Sequence, residues 1–131
     1  MDTREFFSRD SHAMACGIRL DKFGPGTARV TMEIEEQHRN SHGTVHGGVI
    51  FSLADTAFAV ASNSHGVPAA AISASITYMK SAREGTLFAD ATEFALNPKL
   101  ASYVVTVTDA SGDRIALFQG MVYRKTPGKH G

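Results

Sequence analysis

The chain has 131 residues, 43% of them hydrophobic, and its thirteen basic and thirteen acidic side chains leave no formal net charge. That is room for one domain, 1–131, with one real core, and the neutral balance argues against a nucleic-acid binder, which needs a basic face. A lone cysteine, Cys16, rules out an internal disulfide and fits a reducing compartment, the charged start MDTREFFSRD holds no secretory apolar segment, and no apolar run reaches membrane width. The expectation is a cytoplasmic protein with no nucleic-acid or membrane partner.

In chain order, Thr3 to about Cys16 predicts one short amphipathic helix. Thr3 caps it, Gly17 ends it, and Phe6, Phe7, Ala13 and Met14 share a face. Ile18 to Phe23 reads as a first strand, with the turn GPG at 24–26. Thr27 to Glu35 alternates: Ala28, Val30, Met32 and Ile34 point one way, and Arg29, Thr31, Glu33 and Glu35 the other. After the polar loop HRNSHGTVHGG, Val49 to Ala61 is an apolar run of helix length whose only charge is Asp55. Apolar side chains cover nearly its whole circumference, which predicts a helix buried on all sides. Asn63, Gly66 and Pro68 stop it.

Four strands follow, over 69–80, 86–96, 100–109 and 114–124, separated by turns at Arg83-Glu84-Gly85, Asn97-Pro98-Lys99 and Ser111-Gly112-Asp113. Leu87, Ala89, Ala91 and Glu93 share one side of their strand. The small residues of 69–80 suit close passage of a sheet past a helix. The tail TPGKHG is expected to fray. Consecutive strands with short turns favour an α+β antiparallel layer. A helix apolar all round needs cover on several sides, and an antiparallel sheet wrapped around that long central helix supplies it: the hot-dog arrangement.

Asp55 is the first candidate for chemistry, because an isolated carboxylate in an apolar helix is costly to desolvate unless something offsets the cost. The alternative is a structural acid bonded to Thr56, Asn63 or a neighbouring strand. Gly47 and Gly48 let a ligand approach the backbone, and their N–H groups lie near a helix N-terminus, where they suit an oxyanion. A tight turn needing glycine dihedrals is the plainer account. His46 either polarises a carbonyl and orients the loop or caps the helix entry. Asn40 either stabilises a turn or holds a water or the thioester. Ser73 either bonds a water or its own backbone. His38, His42 and His46 lie in a glycine-broken loop with no cysteine near, so no metal site is expected.

Gly47 and Asp55 are eight residues apart, about 12 Å along one helix. Both cannot act on one carbonyl from one chain. Two such helices packed antiparallel about a two-fold axis would bring Gly47 of one chain towards Asp55 of the other, giving a shared site in an obligate dimer.

Asn40-x-x-Gly43-x-x-His46-Gly47-Gly48, followed by Phe51-x-Leu53-Ala54-Asp55-x-Ala57-Phe58 and Asn63-Ser64, closely resembles the PaaI-type hot-dog thioesterases of phenylacetate degradation. The resemblance implies an acyl-CoA thioesterase acting on (hydroxy)phenylacetyl-CoA or a similar aryl or medium-chain acyl-CoA, with no cofactor because CoA is part of the substrate. It implies Asp55 as catalytic acid residue, acting as general base or as nucleophile. It places the oxyanion amide at Gly47 helped by His46, the loop amide at Asn40 and a water-assisting serine at Ser73. It also implies CoA contacts near Lys80, along Lys99-Leu100-Ala101-Ser102 and near Arg124, and a tetramer built from two dimers. Lys80, Arg83, Lys99 and Arg124 are expected to meet the CoA phosphates, and the apolar helix face with Phe51 and Phe58 to line the acyl pocket. The other functions considered are a non-catalytic acyl-CoA-binding module and a hot-dog acyl-thioester dehydratase or hydratase, whose Asp-x-Asn-Pro-x-His motif is missing.

Overall fold

The computed structural model describes residues 2–125; the tail TPGKHG lies outside the described residues. The N-terminal stretch forms two helices, α1 (Thr3–Ser8) and α2 (Ser11–Cys16), where the face pattern predicts one. Asp2, not Thr3, caps α1, its carboxylate accepting from the Glu5 N–H at 2.7 Å. Asp10 makes the break by accepting from the Ala13 N–H at 2.9 Å. A short acidic side chain that caps a new first turn competes with continuation of the old one.

The strands are β1 (Arg19–Gly24), β2 (Thr27–Glu33), β3 (Ala69–Tyr78), β4 (Thr86–Leu96), β5 (Leu100–Asp109) and β6 (Arg114–Arg124), with the long helix α3 (Gly47–Asn63) between β2 and β3. They form one antiparallel sheet in the order β1-β2-β4-β5-β6-β3. Two strands end earlier than the alternation suggests. At the end of β2 the Ile34 N–H turns to the Gly85 carbonyl, and at the end of β3 the Met79 and Lys80 N–H groups share the Ile115 carbonyl.

The helix α3 packs against β2, β4, β5 and β6. Ala28, Val30 and Met32 of β2, and Leu87, Ala89 and Ala91 of β4, are buried as their period of two requires. Glu93, next on that side, is held by His65 Nε2 at 2.6 Å and by the Tyr103 hydroxyl, which donates at 2.9 Å. Asn63 pins the helix exit by accepting from the Ala69 N–H at 2.9 Å and donating to the Ala59 carbonyl at 2.9 Å.

Phe58 is 1% exposed, with its ring 5.3 Å from that of Phe118 and 5.8 Å from that of Tyr103. It is core and lines no acyl pocket, contrary to the sequence expectation. Gly120 lies beneath it, and a Cβ there would fall 2.7 Å from the Phe58 ring. Gly120→Ala is therefore an overpacking change, expected to cost about 1–3 kcal/mol and to lower the urea midpoint at unchanged slope.

Candidate active site

The helix is not buried on all sides. Val49, Phe51, Ser52, Asp55 and Ala59 are only partly buried and form a stripe with spacings of three and four. Asp55 stands in its middle. Neither structural partner named for it is engaged there: the Thr56 hydroxyl donates to the Ser52 carbonyl at 2.7 Å, and Asn63 is spent on the helix exit. Asp55 accepts no hydrogen bond from any described residue. Burial pushes its carboxyl above the ordinary carboxylate range, the Asp10 carboxylate adds to this, and His12 acts in the opposite sense. A carboxylate kept partly dry, unbonded and more basic than usual is suited to taking a proton from water.

One residue of this neighbourhood, His12, escaped the sequence reading. His12 Nε2 is 2.8 Å from Ser52 Oγ, across a separation of forty positions. No spacing rule links α2 to the middle of α3. Between α1 and α3, Phe6, Phe7, Arg9, Asp10, Ala59 and Val60 line a hollow of about 350 Å³. It begins at Ala59, one helical turn past Asp55.

At the other end of α3, Gly47 and Gly48 open the helix with no left-handed dihedral, so the tight-turn account does not hold for them. Gly47 lacks a side chain for a different reason: a Cβ there would sit 3.1 Å from the Tyr78 ring and hydroxyl. That hydroxyl donates to the Gly47 carbonyl at 2.7 Å and ties the helix start to the end of β3. The Gly47 N–H donates to no described acceptor. It is the orphan donor an oxyanion requires. A hollow at this point is lined by Gly47, Tyr78, Met79, Lys80 and Ser81 among others.

His46 is the helix cap. Its Nδ1 accepts from the Gly48 N–H at 3.1 Å, which assigns the neutral ring's proton to Nε2. Capping and catalysis are thus compatible, since Nε2–H remains to polarise a carbonyl. Asn40 organises the loop, its Oδ1 accepting from the His42 N–H at 2.9 Å and the Thr44 hydroxyl at 3.2 Å. Its amide NH2 makes no hydrogen bond to a described residue. His38 has both ring nitrogens engaged: Nδ1 accepts from the Glu35 N–H at 2.9 Å, and Nε2 lies 2.8 Å from the Cys16 carbonyl. It serves the loop's fold, 2% exposed.

Other predicted contacts separate. Ser73 pairs with Met121, while its neighbours Ala74 and Ile76 pair with the buried Gly120 and Phe118. Cross-strand partners share a face, so Ser73 lies on the sheet face away from α3 and is not directed at Asp55 of its own chain. Lys99 and Arg124 are neighbours, through the Arg124 N–H to Lys99 carbonyl bond of 2.7 Å. Lys80 follows Tyr78, which pairs with Ala116, at the opposite end of β6 from Arg124, about 27 Å away at the strand rise. One chain cannot bring all four cations to one phosphate group. Lys80 also pairs with Asp113 and, at 3.9 Å, with Asp109. Arg83 stays at the Gly47 end, its guanidinium donating to the His42 carbonyl at 3.4 Å. Ala101 is 3% exposed and faces the core, so it offers a ligand no side chain; Leu100 and Ser102 are the accessible members of that run.

One antiparallel sheet packed against a single long helix is the hot-dog fold. The Thioesterase superfamily pattern matches residues 42–116. A protein of Archaeoglobus fulgidus is 50% identical over 107 residues, covering 81% of this chain and 70% of its own. The Escherichia coli acyl-coenzyme A thioesterase PaaI is 36% identical over 119 residues, 90% of this chain and 85% of that protein. The structure of the E. coli PaaI protein from the phenylacetic acid degradation operon superposes with a TM-score of 0.92 at 34% identity, covering 95% of this chain and 91% of that one. The chain belongs to the thioesterase superfamily, as a PaaI-type hot-dog thioesterase. It is a thioester hydrolase. No helix among the described residues is long and apolar enough to cross a membrane.

Proposed function

We propose that this enzyme hydrolyses aryl or medium-chain acyl-CoA thioesters, phenylacetyl-CoA and its hydroxylated forms among them, to the free acid and CoA. The observation that carries this is the unpartnered, basic Asp55 carboxylate beside an apolar hollow of acyl size. Asp55 takes a proton from water as the water oxygen attacks the thioester carbon. Gly47 N–H, with His46 Nε2–H, holds the oxygen that gains negative charge. The C–S bond then breaks, and the proton on Asp55 passes to the departing thiolate. Water, a carboxylate and an amide complete this chemistry without a metal or redox cofactor.

The acyl group enters the hollow lined by Phe6, Phe7, Ala59 and Val60. This replaces the pocket around Phe58, which the core has consumed. The CoA phosphates lie at the Gly47 end, near Lys80 and Arg83, and a second chain brings the Lys99 and Arg124 pair. A dimer is supported by β3, a ten-residue strand with one neighbour in the sheet, whose Ile72 is 58% exposed and whose Tyr78 is 49% exposed. A long edge with apolar side chains is a site for strand pairing. Two such dimers make the expected tetramer.

A thiol-release assay over a series of acyl-CoAs tests this reading. Aryl and medium-chain CoA esters should turn over, and a p-nitrophenyl ester of the same acid at matched concentration should react at least about tenfold more slowly, lacking the phosphate anchors. Equal rates would make the protein a general esterase.

A further inference from the structure

We propose that His12, reaching from α2 and held by Ser52 one helical turn before Asp55, is a positioning residue that sets the charge environment of the Asp55 carboxylate. The proposal rests on the general-base reading of Asp55. It begins with placement. Ser52 and Asp55 are three apart on α3 and share the half-buried stripe. His12 Nε2 lies 2.8 Å from Ser52 Oγ, so the imidazole is anchored to that stripe. Asp10, two residues earlier, is fixed as the cap of α2 by the Ala13 N–H. One short helix therefore carries a negative and a potentially positive group to the same carboxylate.

Within one chain the surroundings leave few competitors; across the proposed shared site the partner's His46 faces Asp55 in every variant tested and so leaves their differences unchanged. Asp55 is the only ionisable residue of α3. The strands packed on α3 meet it with buried apolar side chains such as Val30, Leu87, Val105 and Phe118. At the α1–α2 joint Arg9 is engaged with Glu5 at 3.0 Å. Cys16 approaches the same nitrogen of His12 as Ser52 does, its Sγ 3.8 Å from Nε2, with its thiol pushed up by burial and by Asp10. Asp55 itself is raised by burial, then by Asp10, and lowered by His12. The signs follow from charge alone: a carboxylate disfavours a second ionisation nearby, and an imidazolium favours it.

Histidine changes charge within the pH range in which enzymes work. An imidazolium in that place favours the ionised form of Asp55, and a neutral side chain there does not. His12 touches neither water nor thioester; it acts through Asp55, and Ser52 acts through His12.

The test is the pH profile of kcat/KM with the best acyl-CoA substrate. His12→Gln keeps a partner for Ser52 but removes the charge, so the acidic limb should move to higher pH. Relative activity at pH 5 should fall by about threefold or more, with near wild-type activity on the alkaline plateau. Asp10→Asn preserves the cap, since asparagine is as good a helix N-cap, and should move the limb to lower pH. The double variant should lie between the two. Ser52→Ala, which frees the ring, should shift the limb in the direction of His12→Gln by less. Loss of activity at every pH with an unmoved limb would make His12 a packing residue and overturn the proposal. So would shifts of the same sign in His12→Gln and Asp10→Asn. If His12→Gln fails to fold, a limb left unmoved by both Asp10→Asn and Ser52→Ala overturns it alone. Absence of acyl-CoA hydrolysis by the wild-type enzyme would instead defeat the reading of the site itself.

Discussion

Asp55→Asn is expected to lower the turnover number about a hundredfold or more, while the protein folds and melts no lower than wild type. The amide keeps the shape of the side chain but cannot take a proton from water. The stability half of this result follows from linkage. Burial raises the Asp55 carboxyl above its ordinary value, so the folded state holds that proton more tightly than the unfolded chain does. Ionisation therefore costs stability as pH rises from the ordinary carboxylate range through the raised value, and above the raised value the whole cost is present. Asparagine carries no charge to desolvate. A folded variant with near wild-type hydrolysis of phenylacetyl-CoA would make Asp55 structural and remove the mechanism. Lost activity with a lowered melting temperature would mean instead that the carboxylate supports the fold. For the wild-type enzyme, the acidic limb of kcat/KM should lie above that of an unperturbed aspartate.

Three of the four later strands were legible because each announces itself locally, whereas Ala69–Tyr78 does not alternate in burial and was marked by its small residues and the preceding Pro68. Thr86–Leu96, Leu100–Asp109 and Arg114–Arg124 alternate in burial and are bounded by Gly, Pro, Asn or Asp turns. The long helix was legible from length and absence of breakers. Its open stripe was not, because Val49, Phe51 and Ala59 are as apolar as the residues on the sheet side. Composition cannot tell a face covered by sheet from one left to a ligand or a partner chain. The break between α1 and α2 was missed because Asp10 sits in register with one continuous helix and acts only through its cap bond to Ala13.

For the site, residues linked by short spacing were legible and residues linked across the fold were not. His46, Gly47, Gly48 and Asp55 follow from one helix and its entry. The cause of the glycine at 47 is Tyr78, which arrives from β3. His12 comes from a different helix to Ser52, one turn before Asp55, and Phe6 and Phe7 come to Ala59. Lys80 and Lys99 looked equivalent as surface cations because sequence does not show that an antiparallel ladder carries them to opposite ends of the sheet.

Mixing two inactive variants, Asp55→Asn and Gly47→Pro, is expected to restore about a quarter of wild-type activity once subunits exchange. Gly47 and Asp55 lie in one continuous helix, about 12 Å apart, so a site that uses both on one carbonyl draws them from different chains. Gly47 is the first helical residue after the His46 cap, the position where proline is best tolerated, and proline removes the N–H proposed to hold the oxyanion. A proline Cβ also crowds Tyr78, as any side chain at this position does. Gly47→Ala is the control, because it brings the same crowding and keeps the donor. It should retain substantially more activity than Gly47→Pro. In a mixed dimer one site holds both lesions and the other holds neither. Random reassortment makes about half of the dimers mixed, and half of their sites are intact. Circular dichroism establishes that each variant is folded, and mass spectrometry establishes that chains have exchanged. If each site were built within one chain, every site would keep one lesion and no activity would return. Confirmed exchange without recovery would therefore place Gly47 and Asp55 in separate roles and end the shared-site mechanism.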